Sequence, residues 1–476
     1  MHVPNISTFI PKTTTSTSNL PIYVWLPGGS LIGGSASAAG LDGSVLAVEQ
    51  NVIVVVAQYR LGLFGWLQSS DTVDELQGGA PGTPKVAGNQ GARDVVAALQ
   101  FIKDNFRAIG GDTSRITLAG HSSGAQLVRS LLTTPTAQPL FSQALIVSDP
   151  QNYGMAKQET QNKLGSYGLQ RLNCSDIACA RSKTAEEILD ATYDAYYDVP
   201  AQDGSVPSGS PWRPVKGAWI TDAIETNPSA AFSASSPKKV IFTTIANEAG
   251  SAVGNLFAPT PARASQLTYG DSSMSFGGAS SLFFNNGRGD KVAAESYYSR
   301  MQQANANRSD GLRGAVEAGA TDGLWRCSTQ RTAVSLAQAS VGKAGSQVWL
   351  AQHLLGSTYV SNTANSYCGA SNGRWCHEDD LYMLFGNLPK GATPAQVAVS
   401  RELRARYGSF IRTGNPNAKG YAKWSAVDSK SGTAQPYVLR AGGGANGSST
   451  VTQGQRGGGG CSMWGSAVQF DWQMYG

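Results

Sequence analysis

Charge is what this sequence has least of. Asp, Glu, Lys and Arg make up 14% of its 476 residues, against about a quarter in an ordinary globular chain. The surface must therefore draw on Ser, Thr, Gln, Asn and Gly, a balance that suits a secreted protein better than a cytosolic one. The formal net charge of +5 is small for the length. Lys and Arg are scattered rather than gathered into a stripe, so nucleic-acid binding gains no support. No apolar run approaches the ~20 residues that a bilayer-spanning helix needs, and the opening Met1-His2-Val3-Pro4 is not a signal peptide. The expectation is that a leader has been removed or the chain shortened. Cysteine is scarce as well, with six in all. None has C-x-x-C spacing, which removes the usual signature of a metal site. The even count fits disulfides but does not fix connectivity. By spacing, Cys174 can close a small loop with Cys179 and Cys368 another with Cys376, leaving Cys327 to reach Cys461. Sequons at Asn5, Asn173, Asn307 and Asn446 are compatible with glycosylation.

What is present is ample apolar content, at 41%, organised into recurrent short runs. Buried strands are expected at Ile22 to Leu26, Val52 to Ala57, Ile116 to Ala119, Ala144 to Val147, Val240 to Ile245 and Val348 to Ala351. Several are continuous rather than alternating, as strands covered on both faces should be. Helical patterns separate them. From Asn89 to Phe106, Val95, Val96, Leu99, Ile102 and Phe106 fall on one broad stripe that Gly110-Gly111 terminates. Such alternation implies an α/β fold, a large and mostly parallel sheet with helices on both faces. With no internal repeat and no obvious linker, residues 1–476 read as a single domain. The Gly- and Ser-rich stretch Gly442 to Gly460 reads as a long mobile surface loop. The similarly rich region from about Thr260 to Arg288 gives no firm structure.

The pentapeptide Gly120-His121-Ser122-Ser123-Gly124 follows one apolar strand and precedes a helical pattern with Val128, Leu131 and Leu132 on one face. That is the context of the G-x-S-x-G elbow, a sharp strand-to-helix turn that lifts a serine hydroxyl clear of the sheet. A second match, Gly369-Ala370-Ser371-Asn372-Gly373, lacks both flanks. Ser122 is thus the candidate nucleophile, and a serine needs a base and a carboxylate to orient that base. Of four histidines, His2 lies at a terminus, His121 adjoins the nucleophile with its side chain expected to point away from the Oγ, and His353 ends an apolar strand as a core residue. His377, on a loop downstream, remains as the base. Between nucleophile and base, Glu248 follows a strand directly, ahead of its competitors Asp149 and Asp322. The loop Leu26-Pro27-Gly28-Gly29-Ser30-Leu31-Ile32-Gly33-Gly34 can present backbone amides, and those of Gly29, Ser30 and Ser123 are the expected oxyanion donors. Trp212, Trp325 and Trp375 are expected in the core rather than as pocket walls.

With these residues in view, the chain resembles a type B carboxylesterase of the cholinesterase/lipase family, most similar to its fungal secreted members. Asn51 to Leu67 (NVIVVVAQYRLGLFGWL) is similar to the family's strand and Tyr-Arg-Leu-Gly turn. Asn89 to Ala125 resembles its long helix, Gly-Gly-Asp turn and elbow. Phe410 to Asn417 (FIRTGNPN) resembles a late motif, and Cys461-Ser462-Met463-Trp464 its C-terminal cysteine segment. The resemblance spans about Asn5 to Phe470. It implies the α/β-hydrolase fold, Ser122, Glu248 and His377 as the triad, and Gly29, Ser30 and Ser123 as the oxyanion donors. It also implies the pairs Cys174 with Cys179 and Cys327 with Cys461. Cys368 with Cys376 has no family counterpart and would tether the loop carrying His377.

The resemblance further implies a secreted serine hydrolase of small carboxylic esters, with short to medium acyl groups, acting through an acyl-enzyme without metal or cofactor. Its rivals are a lipase of long-chain esters and a non-catalytic binding or adhesion module. The sequence departs from the family in three places. Ser30 stands for the usual third Gly, with Leu31 for a common aromatic. The elbow reads His-Ser-Ser where Glu-Ser-Ala is frequent. The family's N-terminal segment has no counterpart before Met1, and an exposed sheet edge is expected there.

Overall fold

The computed structural model describes residues 5–68, 88–203, 206, 209–217, 219–232, 238–284, 289, 292, 296–430, 436–440, 449–450, 461 and 464. Each expected strand is present: β2 (Leu20–Leu26), β3 (Ile53–Gln58), β4 (Gly111–His121), β5 (Gln143–Val147), β6 (Lys239–Ile245) and β9 (Gln347–His353). Three more belong to the same sheet, β1 (Asn5–Phe9), β10 (Tyr437–Leu439) and β11 (Ser449–Thr450), giving the order β1-β3-β2-β4-β5-β6-β9-β10-β11. From β3 to β10 all neighbours are parallel, and β1 and β11 join antiparallel at the two edges. At one of these edges, the residues of β1 are exposed or half-buried throughout.

Continuous apolar runs arise because both faces of this sheet are covered. In β2, Ile22, Val24 and Leu26 enter one core while Tyr23 and Trp25 enter the other; in β3, Ile53, Val55 and Ala57 oppose Val54 and Val56 in the same way. The first core takes helices α1 (Gln90–Asn105), through Val95, Leu99 and Ile102, and α2 (Ser123–Leu132), through Leu127, Val128 and Leu131. A third core holds Leu312, Val316 and Trp325 from α3 (Gly311–Ala320) and the π turn Thr321–Arg326 that leads into α4 (Cys327–Ala339). The second core takes α5 (Pro394–Thr413), through Val399, Leu403, Phe410 and Ile411. α5 starts where Thr393 and Gln396 form a reciprocal capping box with Pro394 at the first turn, and stops at Gly414, φ 72°.

The structure refines several expectations. α2 is buried all round rather than on one face, as a helix wedged between sheet and neighbours must be. The region 260–288, unassigned from sequence, contains the hairpin β7 (Leu267–Tyr269) and β8 (Ser272–Met274) and a short helix, Phe276–Ser281. The stretch 442–460, apart from β11, lies outside the described residues.

Inside α2, Arg129 is fully buried and pairs with Asp149 at 2.6 Å and with Glu225. Burial pushes the Asp149 carboxyl upward while Arg129 pulls it back. Removing the cation would strand two carboxylates in the core, so Arg129→Ala is expected to lower unfolding free energy by about 3–5 kcal/mol in urea denaturation.

Candidate active site

The elbow is shaped by steric exclusion. β4 ends at His121, α2 begins at Ser123, and Ser122 between them adopts φ 55°, ψ −123°, a region that residues with a Cβ rarely occupy. Two glycines permit it. A Cβ on Gly120 would come within 2.5 Å of the Gly124 backbone, and one on Gly124 within 2.2 Å of the Leu26 carbonyl oxygen. The turn is fixed at both ends: Ser122 N–H donates to the Val147 carbonyl and the Ser122 carbonyl accepts from Gln126 N–H, each at 2.9 Å. Partly exposed, Ser122 stands past the carboxyl end of β4, where parallel sheets bind ligands.

Beside it runs the loop that leaves β2. Gly29, Ser30 and Leu31 have φ of 128°, 53° and 61°, so three successive peptide units turn their amides in an unusual direction. A Cβ on Gly28 would stand 2.9 Å from the Ser122 Cβ, so only glycine lets the loop lie this close. Among the described residues the amides of Gly29, Ser30 and Ser123 donate to no protein acceptor. The Ser123 amide also belongs to the N-terminus of α2, where the helix dipole favours negative charge.

The loop is held by the Tyr59-Arg60-Leu61-Gly62 turn, a positioning role that sequence reasoning missed although it had noted the motif. Tyr59 Oη donates to the Pro27 carbonyl at 2.7 Å, and Gly62 N–H donates to the Leu31 carbonyl at 2.7 Å. Arg60 grips Asp94 of α1 through Nε and Nη2, both at 2.7 Å.

Glu248 and His377 come from loops after β6 and β9 that are joined by backbone pairing. Asn247 N–H donates to the Trp375 carbonyl, and Trp375 N–H donates to Asn247 Oδ1, each at 3.1 Å. Cys376, bridged to Cys368, packs where a Cβ on Gly250 would lie 2.5 Å from its Sγ. Asp379 closes the turn by accepting from Cys376 N–H at 2.8 Å and Tyr359 N–H at 2.7 Å. The result is a 2.7 Å contact between His377 Nδ1 and Glu248 Oε2, with Glu248 Oε1 held by Ile245 N–H at 2.8 Å. Glu248 is 1% exposed.

His377 in turn faces the elbow. Its ring lies 4.5 Å from that of His121 and 5.6 Å from Trp325, centroid to centroid. No hydrogen bond joins His377 to the Ser122 hydroxyl in this structure, a contact that often tightens only with substrate bound. Burial by itself would depress the His377 imidazole; the hydrogen bond and charge of Glu248, with Glu378 and Asp380 beyond, outweigh it and raise the pKa above the ordinary value. His121, set aside from sequence as pointing away from the Oγ, packs its ring on His377. It is 0% exposed with neither ring nitrogen hydrogen-bonded to protein, and burial, then the charge of His377, hold its pKa well below the ordinary value. His121 is therefore neutral beside a histidine prepared to carry charge.

The other candidates are engaged elsewhere. Asp149 serves Arg129, and Asp322 accepts from Arg326 at 2.6 Å and Tyr298 Oη at 2.9 Å. His353 is a core residue between Asp380 at 2.6 Å and Tyr407 Oη at 3.0 Å. His2 lies outside the described residues. Trp212 and Trp325 are both core, as expected, and Trp375 is half-buried; Trp325 also lies against the His377 ring and donates from Nε1 to the Ser148 carbonyl at 3.1 Å. All three disulfides have the expected partners. Asn5, Asn173 and Asn307 are exposed and Asn446 lies outside the described residues. Among the described residues no cluster of His, Cys, Asp and Glu suits a metal, and no helix is long and apolar enough to cross a membrane.

Comparison with known proteins adds to this geometry. The family model described as "Carboxylesterase family" matches residues 5–442. The chain is 26% identical to carboxylesterase 1E of Mus musculus over 444 residues, covering 90% of this chain and 73% of that one. It is 35% identical to carboxylesterase 5A of Felis catus over 207 residues, 42% of this chain and 35% of that protein's length. Among solved structures it is similar in fold to a "PNB esterase", with a TM-score of 0.64, 23% identity, and coverage of 92% of this chain and 80% of that one.

The coupling between Glu248 and His377 can be read directly. In an NMR titration the His377 ring is expected to have a midpoint above the ordinary ~6.5 of imidazole. In Glu248→Gln, with the anion that favours imidazolium gone, that midpoint is expected to move down.

Proposed function

Because the chain belongs to the carboxylesterase family, a family of carboxylic ester hydrolases, we propose that it cleaves small esters with Ser122 as nucleophile, His377 as base and Glu248 as the orienting acid. The observation that carries this reading is the 2.7 Å Glu248–His377 contact, held on two mutually paired loops and packed against the residue preceding a strained Ser122. Glu248 on Nδ1 leaves the other ring nitrogen, Nε2, to accept the serine proton as Oγ attacks the ester carbonyl. The oxyanion that forms is stabilised by the amides of Gly29, Ser30 and Ser123, each such donor contributing a few kcal/mol. His377 then passes its proton to the leaving alcohol, and water repeats the cycle on the acyl-enzyme to release the acid. The neutral His121 ring adds no second positive charge beside the imidazolium.

The same proposal covers setting and substrate. Three disulfides and three exposed sequon asparagines support an oxidising, secretory route and a glycoprotein. The fungal likeness rests on the sequence motifs. Esters of short to medium acyl groups are the proposed substrates.

The test is hydrolysis of a p-nitrophenyl ester series by the parent and by Ser122→Ala, both checked for folding by circular dichroism. Activity highest on short acyl chains and reduced about 10⁴-fold or more in the variant is expected. kcat/KM should fall as pH drops through the raised pKa of His377, because only the neutral ring accepts the proton. A folded parent without activity would point to a binding module, and a rate that jumps above the solubility limit of a long-chain ester to a lipase.

A further inference from the structure

A separate cavity of about 270 Å³ lies beside the two paired loops, and its wall includes none of Ser122, Glu248 and His377. Its buried part is formed by Ala246, Glu317 and Thr321, and toward solvent it is lined by Arg308 and Arg374. The charges in this wall are not evenly satisfied. Glu317 accepts from Asn247 Nδ2 at 2.9 Å and from Thr321 Oγ1 at 3.0 Å. Asp310 accepts from Arg313 Nε at 2.8 Å and from Thr260 N–H at 2.8 Å, and Asp322 is taken by Arg326 and Tyr298. Arg308 and Arg374 form no ion pair and no side-chain hydrogen bond among the described residues.

Arg374 is nonetheless held in place. Its guanidinium lies 4.0 Å from the centroid of Tyr367, a ring that Arg313 also contacts at 4.5 Å. Tyr367 is 0% exposed and its hydroxyl has no hydrogen-bond partner, an arrangement that calls for an explanation in a packed interior. Both groups converge on one point. The position that a Cβ on Gly314 would occupy, in the cavity wall, is 3.6 Å from Arg374 Nη2 and 3.9 Å from Tyr367 Oη. α3 therefore omits a side chain beside a guanidinium whose wall neighbour Asp310 feels its charge without pairing to it, and in front of a buried hydroxyl that has no partner.

The geometry points to a binding site for a small carboxylate anion, seated against Gly314 with Arg374 as its principal cation and Arg308 toward solvent. The volume sits just below the ~300–1,000 Å³ of ordinary ligand pockets, which favours a short-chain acid over a long one. A planar carboxylate is the anion that a guanidinium fork matches best. The site is also wired to the catalytic loops. Glu317 holds Asn247, the neighbour of Glu248 and the partner of Trp375, while Thr321 Oγ1 accepts from Ala249 N–H at 3.0 Å. An occupant thus touches the groups that hold both loops in register. The binding does not depend on the assignment of Ser122, and its class matches the acid that ester hydrolysis releases.

Isothermal titration of the full chain with sodium butyrate, against sodium chloride at equal ionic strength, tests the site. Two variants close it in different ways. Arg374→Gln removes the charge, and Gly314→Leu fills the cavity from a helix position whose backbone has ordinary φ. Saturable butyrate binding by the parent, weakened about tenfold or more in Arg374→Gln and lost in Gly314→Leu, is the expected result. Arg374→Lys, which keeps the charge, should recover part of the affinity. Thermal melting confirms that each variant is folded. Binding at the catalytic centre would survive both substitutions, so folded variants that take up butyrate as the parent does would overturn the proposal, as would a parent that binds none.

Discussion

The close approach of the elbow to the end of β2 is the constraint from which the rest of the site follows. Gly124 meets the carbonyls of Leu26 and Pro27 at a distance that leaves no room for a methyl group, and Gly28 meets the Ser122 Cβ in the same manner. This contact brings a strained serine and a loop of free amides together, although Gly28 and Ser122 lie far apart in the chain. Strain of this kind, of order 1–3 kcal/mol, persists only where surrounding structure over-determines it. Here the adjacent parallel strands, the buried α2 and the Tyr59 clamp all act on the same few residues.

The contact of Glu248 with His377 depends on a second, softer device. Neither loop is regular structure, yet each supplies the other's missing hydrogen bonds through Asn247 and Trp375, and a short disulfide stiffens the base side. Glu248 is thereby buried with both oxygens already engaged, one by the Ile245 N–H and one by the imidazole. A buried carboxylate without them would be costly. Within this setting the departure of the elbow from Glu to His has an electrostatic meaning. A carboxylate at position 121 would add a second anion beside His377, whereas a neutral ring leaves Glu248 as its hydrogen-bonded counter-ion.

Much of this was legible in the sequence because the chemistry imposes residue types. Strands covered on both faces must be apolar throughout, which exposed β2, β3, β5, β6 and β9; a tight elbow must have glycines on either side of the serine; a loop that passes this close to the elbow must have glycine at the point of contact. What escaped detection lacks such a demand. β1 is a half-exposed edge strand with a weak alternating pattern, and β10 is three residues long. The pairing of Asn247 with Trp375 and the grip of Tyr59 on Pro27 each end on a backbone group that every residue carries, so the sequence marks at most one partner of each contact. The packing of the His121 ring on His377 escaped for a related reason, because its partner lies about 250 residues downstream.

The Cys327–Cys461 bridge closes a ring with a sequence separation of 134. His377, the short disulfide that tethers its loop and α5 all lie inside that ring, while Ser122 and Glu248 lie before it. A protease that cuts once between the two cysteines therefore opens the ring without dividing the molecule. The segment bearing His377 stays covalently attached to the segment bearing Ser122 and Glu248, whichever peptide bond is broken. For a chain with so few surface charges and so many glycines, this makes a single nick a change of topology rather than a loss of parts.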